Sequence, residues 1–238
     1  MTDAKAIRRN LENVQERISS AARVAGRDLQ EIRLVVVTKG HSAASVEALA
    51  ELGVRDIGES YAEEGVTKIM ALANLPGCKW HMIGHIQSRK ARLVAEHFDV
   101  IHSLDSQKLA KRLDKFVQEC GGSMPVLLEC NVSGEASKYG WDAVEENTRL
   151  WTDIEEIVKL NGLRIQGLMT IAPIVKKPHE ARPYFAKLRE LRNSLTTRFP
   201  GADWSQLSMG MSSDYEAAVK EGATILRIGT AILGERPG

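Results

Sequence analysis

The chain has 238 residues, 43% of them hydrophobic and 26% charged, which is typical of a globular protein with a sizeable core. Its 32 basic and 31 acidic residues give a formal net charge of +1, so the overall charge does not favour nucleic acid or an anionic membrane as a partner. No stretch approaches the roughly 18 consecutive apolar residues of a membrane span. The first residues also lack the apolar core of a signal peptide. We therefore expect a cytoplasmic protein.

An amphipathic helix is predicted at the start of the chain, from about Ala4 to Ala25. Its apolar stripe is expected to cover the rest of the fold and consists of Ile7, Leu11, Val14, Ile18 and Ala22. Eight short apolar or β-branched runs follow, with helical segments between them. The runs span Arg33–Thr38, Val54–Gly58, Trp80–Gly84, Phe98–Leu104, Met124–Val132, Leu163–Thr170, Trp204–Gly210 and Thr224–Gly229.

Alternating βα units of this kind predict a parallel sheet, and eight strands are the number that closes a barrel. An open, doubly wound sheet would tolerate the same alternation, but the eight runs and the chain length favour the closed form. No long linker rich in Pro, Gly or Ser divides the chain. The sequence thus predicts an α/β fold with one domain over residues 1–238, a (β/α)₈ TIM barrel with an extra N-terminal helix.

The first run, "RLVVVTKG", places Lys39 at the end of a strand. Because the active face of such a barrel lies at the C-terminal ends of its strands, Lys39 would reach the mouth. The last two runs end in "MGMSSD", which opens a predicted helix "SSDYEAAVKEG", and in "RIGTAILG", which opens another short helix. Their free backbone N–H groups and hydroxyls suit a phosphate. An amine facing a phosphate site suits a phosphorylated carbonyl compound held as a Schiff base. The plainer alternatives are a snorkelling surface lysine and helix capping by Ser212, Ser213 and Asp214.

Strand alternation gives Arg227 the same orientation as Gly229, so its guanidinium can reach the mouth. There it would donate to the nitrogen of a pyridine ligand and keep that nitrogen unprotonated. The alternative is an arginine outside the barrel, paired with an acidic helix residue. His81 and His85 have no further ligand at zinc spacing, so no metal site is predicted. The three cysteines form no C-x-x-C motif and favour free thiols.

Several motifs, read in order, resemble those of the pyridoxal phosphate homeostasis proteins, which are single-domain barrels similar to the N-terminal domain of alanine racemase. They are "VVVTKG", "DIGESYAEE", "WHMIGHIQSRK", "HSLD", "GLMTIAP", "LSMGMSSDYEAAV" and "RIGTAILGERP". The resemblance implies that Lys39 carries pyridoxal 5′-phosphate covalently, as a Schiff base, and that Arg227 meets the pyridine nitrogen. It also implies that the phosphate is held by Met211, Ser212, Gly229 and Thr230.

Three positions depart from the family pattern. His41 stands where the family often has a second lysine, so the resemblance does not extend to a second amine there. Ser60 replaces the asparagine of the usual "GEN" and places a shorter hydroxyl where a carboxamide would contact the cofactor. Arg89 stands where an asparagine is frequent. None of the three lies in the motifs that carry the lysine or the phosphate site.

The resemblance implies a carrier or regulator that buffers the reactive aldehyde and contributes to vitamin B6 and amino-acid homeostasis without catalytic turnover. Apo-enzymes that need the cofactor are its candidate partners, and a monomer is expected. The alternative is a pyridoxal phosphate-dependent amino-acid racemase with weak activity. Racemisation needs an acid/base group on each face of the substrate, whereas Lys39 serves one face, and we do not expect a second domain to supply the other. A third reading is a class I aldolase that acts on a sugar phosphate through Lys39.

Overall fold

A computed structural model of the chain describes residues 4–135, 138–143 and 148–236. Nine parallel strands form one sheet in the order β4-β3-β2-β1-β9-β8-β7-β5-β6, and pairing of β4 with β5 closes the first eight into a barrel. The strands are β1 (Arg33–Val37), β2 (Asp56–Glu59), β3 (Lys79–Met82), β4 (Val100–Leu104), β5 (Met124–Asn131), β6 (Trp141–Asp142), β7 (Leu163–Met169), β8 (Gln206–Ser208) and β9 (Ile225–Ile228). The predicted TIM barrel is confirmed.

Helices surround the barrel, because each crossover between parallel strands must return over the outer face of the sheet. They are α1 (Ala4–Val24), α2 (Ala43–Glu51), α3 (Ala62–Ala71), α4 (Ala91–His97), α5 (Gln107–Glu119), α6 (Thr148–Ile157), α7 (Arg182–Arg198), α8 (Tyr215–Lys220) and α9 (Thr230–Leu233). Within the described residues, no helix combines the length and the apolar character needed to cross a membrane.

The first helix, α1, is the predicted extra helix, and all five residues of its predicted stripe are buried. It packs against α8 and α9, which follow the last two barrel strands. Asn10 donates to the carbonyl of Ile232 over 3.1 Å. Just after α1, Arg27 donates to the carbonyls of Val219 and Ala223 over 3.0 and 2.7 Å. The extra helix therefore supports the two helices that begin at the barrel mouth.

Two features of the chain differ from the prediction. Strand β6 was not predicted, because two residues are too few to show any periodicity; it pairs with the end of β5. The helix expected from "SSDYEAAVKEG" begins only at Tyr215, since residues 211–214 form a turn. In that turn Asp214 N–H donates to the Met211 carbonyl over 3.0 Å, and Met211 N–H donates to Asp214 Oδ1 over 2.6 Å.

The apolar core has two layers, one on each side of the barrel wall. The larger lies between the strands and the helices. The smaller fills the barrel interior and consists of Val35, Val100, Leu127, Met169 and Ile225. Interior positions alternate with outward ones along each strand, and several of them are polar rather than apolar. Those polar positions lead to the mouth of the barrel.

Candidate functional site

A cavity of about 720 Å³ opens at the C-terminal ends of the barrel strands. Its walls come from the segments after β1, β2, β3, β7, β8 and β9. All seven residues predicted to bind a cofactor line it: Lys39, Ser60, Met211, Ser212, Arg227, Gly229 and Thr230. The fold thus brings together positions that are far apart in the sequence, whereas their role toward a ligand stays a prediction.

Lys39 is half-buried and precedes Gly40, whose φ of 75° is favourable only for glycine. The two residues beside Lys39 are held through their backbones. Lys68 Nζ donates to the Thr38 carbonyl over 2.7 Å, and Gly40 N–H donates to Glu64 Oε1 over 2.6 Å. The backbone on both sides of the lysine is therefore anchored to α3.

These anchors belong to one ionic cluster, which we call the lysine clamp: Thr38, Glu59, Glu64 and Lys68. Lys68 Nζ lies 2.7 Å from Glu59 Oε1 and 2.7 Å from Glu64 Oε1. Thr38 Oγ1 donates to Glu59 Oε1 over 2.5 Å. Burial raises the pKa of Glu59, and hydrogen bonds from Lys68 and Thr38 oppose that rise only in part. The clamp supports Lys39 without contacting its amine.

The environment of Lys39 favours the neutral amine. Burial lowers its pKa, and the positive charges of Arg236 and Arg227 lower it further, while Glu59 and Glu64 oppose them. A neutral amine is the form that attacks a carbonyl carbon. Its place in the cavity lining and its lowered pKa are therefore compatible with a nucleophile, and that role stays a prediction.

Hydroxyl groups line the wall that follows β8 and β9. Ser212 and Ser213 are the central residues of the turn before α8, so the hydrogen bond of that turn leaves their own N–H groups unused. Thr230 is the first residue of α9, where a backbone N–H has no intrahelical acceptor. Ala231 N–H donates to Ser212 Oγ over 3.2 Å and ties the two segments together. This donor-rich wall suits an anion.

Arg227 lies inside the barrel wall and is only 4% exposed. Its Nη1 donates to Ser208 Oγ over 2.6 Å, and its Nη2 donates to the Thr170 carbonyl over 2.8 Å. Burial lowers its pKa to about 10, against the opposing charges of Glu129 and Asp214, so the guanidinium stays charged at neutral pH. The alternative of an arginine outside the barrel is therefore wrong, and the inward orientation taken from strand alternation holds.

Ser208 continues into a series of buried hydrogen bonds, the Arg227–Asp56 relay, made of Arg227, Ser208, His102, His81 and Asp56. Ser208 Oγ lies 2.8 Å from His102 Nδ1, and His102 Nε2 lies 2.9 Å from His81 Nδ1. His81 Nε2 lies 2.9 Å from Asp56 Oδ1. Asp56 is the first residue of β2, so the relay runs from the mouth to the opposite end of the barrel.

Glu129, near the end of β5, is a second charged group in the interior. Glu129 is 6% exposed, and its Oε2 has no hydrogen-bond partner in the part of the chain that the structure describes. Burial and the charge of Asp105 raise its pKa to about 7, while Arg227 opposes the rise. A small cavity of about 140 Å³ beside the main one is lined by Glu129 and Tyr139.

The outer rim of the cavity is aromatic. The rings of His85 and Tyr139 stack with centroids 3.7 Å apart, and His85 Nδ1 lies 2.8 Å from Asp105 Oδ2. Next to His85, a Cβ on Gly84 would lie 2.2 Å from the carbonyl oxygen of Ser60, so glycine permits the close approach that brings Ser60 to the cavity. Among the described residues, no three His, Cys, Asp or Glu are grouped to hold a metal ion.

Sequence reasoning missed the residues behind the cavity wall. His81 was considered only as a zinc ligand, and the lysine clamp, Glu129, Ser208 and His102 were not assigned any role. A signal for part of this set exists, because His81, His102, Ser208 and Arg227 occupy inward positions of barrel strands, where apolar residues are the rule. Polar residues at such positions indicate a buried network.

The comparisons with known proteins agree with this architecture. A family model described as "Alanine racemase, N-terminal domain" matches residues 2–237. A pyridoxal phosphate homeostasis protein of Pseudomonas aeruginosa is 45% identical over 232 residues, with 97% of this chain and 96% of the relative covered. Proteins of the same name from Vibrio cholerae and Escherichia coli are 40% and 38% identical over 235 and 238 residues. Their coverage is 98% and 97% of this chain, and 97% of each relative.

Solved structures give the same result. PipY of Synechococcus elongatus without PLP has a TM-score of 0.83 at 37% identity and covers 92% of this chain and 99% of its own. PipY with PLP bound has a TM-score of 0.81 at 36% identity, with coverage of 93% and 100%. An alanine racemase of Clostridium difficile, 14% identical with a TM-score of 0.75, shares the fold over 98% of this chain and 60% of its own. The chain therefore belongs to the pyridoxal phosphate homeostasis proteins of the alanine racemase N-terminal domain family.

Proposed function

We propose that this protein binds pyridoxal 5′-phosphate covalently, as a Schiff base with Lys39, and contributes to intracellular vitamin B6 and amino-acid homeostasis with little or no catalytic turnover. One observation carries the proposal: a lysine of lowered pKa shares a cavity with a hydroxyl-lined wall that suits an anion. The relatives' name and the PLP bound to PipY support the same ligand.

The donor set of the cavity fits this cofactor. Pyridoxal phosphate would supply an aldehyde for the amine of Lys39 and an aromatic ring that withdraws electrons. Ser212 and Thr230 would hold the phosphate through their hydroxyls and backbone N–H groups, with Met211 and Gly229 beside them. Ser60 would contact the cofactor through its hydroxyl, in place of the family's usual carboxamide.

The position of Arg227 is an argument for little or no catalytic turnover. Its guanidinium donates hydrogen bonds and accepts none, so it would favour an unprotonated pyridine nitrogen. An unprotonated ring withdraws electrons less strongly, and each 1.36 kcal/mol of lost stabilisation of the transition state lowers a rate about tenfold. The structure of the cavity therefore agrees better with a carrier of the cofactor than with an efficient enzyme.

The experiment compares the wild type with Lys39→Ala. Purified wild-type protein mixed with pyridoxal phosphate should develop a visible absorption band that differs from that of the free cofactor, and Lys39→Ala should not. Reduction with sodium borohydride followed by peptide mass mapping should locate the adduct on Lys39. An adduct on another lysine, or an identical spectrum for Lys39→Ala, would contradict the proposal.

The alternatives predict different results in the same preparation. A racemase would invert L-alanine or another amino acid at a rate that Lys39→Ala abolishes, whereas a carrier would show no measurable inversion. A class I aldolase would remain colourless with pyridoxal phosphate and would be trapped by borohydride with a sugar phosphate instead. The expected monomer is tested separately, by measuring the molar mass of the purified protein in solution with light scattering.

Delivery to other proteins is a separate question. We propose that apo-enzymes that need the cofactor are the partners. Mixing the loaded protein with such an apo-enzyme and timing its reactivation distinguishes two roles. Activation that is faster than with an equal concentration of free cofactor supports delivery, and an unchanged rate supports storage alone.

A further inference from the structure

The Arg227–Asp56 relay uses side chains from five strands of the barrel. Arg227 lies on β9, Ser208 on β8, His102 on β4, His81 on β3 and Asp56 on β2. The first four residues are at most 4% exposed, and only the Asp56 side chain, 25% exposed, reaches solvent. The relay thus connects the cavity wall to the far end of the barrel through a region from which water is excluded.

The two ends of the relay fix the direction of every hydrogen bond in it. A guanidinium only donates, and an ionised carboxylate only accepts. Burial opposes ionisation of Asp56, but the hydrogen bond from His81 and the positive charges of Arg33 and Lys79 outweigh it and lower its pKa. His81 must then give its Nε2 proton to Asp56, and the other end requires Ser208 to accept from Arg227.

The two histidines complete the same one-way order. Burial lowers the pKa of both rings, against the opposing charge of Asp56 at His81 and with the added charge of Arg227 at His102, which favours the neutral form of both at neutral pH. With its proton on Nε2, His81 accepts at Nδ1 from His102 Nε2–H. His102 then accepts at Nδ1 from Ser208 Oγ–H. Each side chain donates toward Asp56, and each has a partner on both sides.

Such a series is cooperative, because removing one member leaves two buried polar groups without a partner. Apolar residues would fill the same interior positions without that risk. The relay ends on the Arg227 guanidinium, which lines the cavity. Ser208 joins that guanidinium to the interior histidines through its hydrogen bond with His102. Support of the barrel alone does not account for a polar series that terminates at the cavity.

We propose that the Arg227–Asp56 relay is a positioning device, in which Ser208, His102, His81 and Asp56 hold the Arg227 guanidinium against the cofactor ring and transmit the charge of Asp56 to it. The inference rests on the proposed function, since it concerns the same cofactor. It assigns a role to four residues that make no contact with the ligand themselves.

The test measures two properties of the bound cofactor: its dissociation constant and the pH midpoint of its visible absorption band. His102→Leu and Ser208→Ala should each weaken binding about tenfold and shift the midpoint by about one pH unit. Asp56→Asn keeps an acceptor for His81 but removes the negative charge. It should therefore also shift the midpoint, by less than about one pH unit, although Asp56 lies at the far end of the barrel.

Two further variants separate positioning from general stability. His102→Gln retains one donor and one acceptor, and it should restore binding to within about threefold of the wild type. Ile101→Ala changes the neighbouring residue on the outer face of the same strand. It should lower the melting temperature but leave the midpoint unchanged. A relay that only supports the fold would move stability in all variants and the midpoint in none.

A measurement on the wild type without cofactor keeps the proposal testable if His102→Leu fails to fold. Nitrogen-15 NMR of the histidine rings should find His81 and His102 protonated at Nε2 alone. A proton on Nδ1 of either ring would overturn the relay. So would a folded Ser208→Ala protein with unchanged affinity and midpoint. A wild type that binds no pyridoxal phosphate would instead overturn the proposed function, and the relay's role with it.

Discussion

The two cavity walls that carry Lys39 and Arg227 are stabilised by different kinds of interaction. Lys39 is supported by the lysine clamp, in which the buried Lys68 pairs with two carboxylates, the fully buried Glu59 and the partly exposed Glu64. Arg227 is supported by the relay, whose next three members are neutral and fully buried. One wall is held by charge pairs, and the other by uncharged donors and acceptors.

The difference follows from what each wall must do. In the proposed function the amine of Lys39 reacts in its neutral form, and the charged groups of the clamp bond the backbone beside Lys39 rather than Nζ itself. The same proposal needs the guanidinium of Arg227 charged and fixed in orientation, and its two charge-assisted hydrogen bonds, to Ser208 Oγ and the Thr170 carbonyl, fix that orientation. Glu129 is the exception on the Arg227 side, since it is an acidic group with an unpartnered oxygen.

The largest effect is expected at the lysine clamp. Lys68→Met would leave the fully buried Glu59 without its cation, and breaking a buried pair in this way costs about 3–5 kcal/mol in the free energy of unfolding. Urea denaturation at pH 7 measures it. The double variant Lys68→Met/Glu59→Gln removes the orphaned charge and should lose less than the single variant. A loss below about 1 kcal/mol in Lys68→Met would contradict the account of the clamp.

A pH-dependent effect is expected at Glu129. Its pKa is about 7 in the folded protein and near 4.5 ordinarily, so the folded state retains the proton longer. The free energy of unfolding therefore falls as the pH rises from about 4.5 to 7, by about 3 kcal/mol in total. Glu129→Gln, which cannot ionise, should lack this fall.

Urea denaturation at pH 5 and pH 8 checks the prediction for Glu129. The difference in stability between Glu129→Gln and the wild type isolates this residue, because the other titrating groups are common to both proteins. The variant should gain on the wild type between the two pH values. Parallel pH profiles would mean that Glu129 is already ionised at pH 5, and that the Arg227 wall carries a permanent charge pair like the other wall.

The smallest effect is expected at Gly40, next to Lys39. Its φ of 75° costs an alanine about 1–2 kcal/mol, and a Cβ there would lie 2.9 Å from Cδ of Arg236. Gly26→Ala is the matched control, because Gly26 has a φ of 66° and nothing within 4 Å of its Cβ position. Both variants should lose similar stability by thermal denaturation, but only Gly40→Ala should weaken cofactor binding. Equal binding by both variants would mean that the backbone beside Lys39 tolerates displacement.

Much of the fold could be predicted because strand and helix patterns are local. The eight runs match the eight barrel strands to within a few residues, and the tips of those strands gave Lys39 and Arg227 the correct position and orientation. Strand β6 could not be predicted, since its two residues owe their conformation to pairing with β5. The start of α8 was misplaced because a side-chain contact of Asp214 replaces the first turn of helix.

The networks behind the site could not be predicted, because they depend on which distant side chains meet. His102 and Ser208 are 106 positions apart, and no local pattern connects them. Lys68 is an ordinary polar residue in the pattern of α3, and only the closed barrel places it beneath the Thr38 carbonyl. The residues that line the cavity can be predicted from strand ends, whereas the residues that support them depend on tertiary packing.

The packing of α1 has a consequence for how the molecule is made. The ribosome releases this helix before the barrel strands, yet its hydrogen-bonding partners Glu216 and Ile232 lie 199 and 222 positions later. The apolar stripe of the nascent helix therefore stays uncovered until α8 and α9 have emerged. Contacts of such long sequence separation slow folding, so α1 docks only after α8 and α9 have been synthesised.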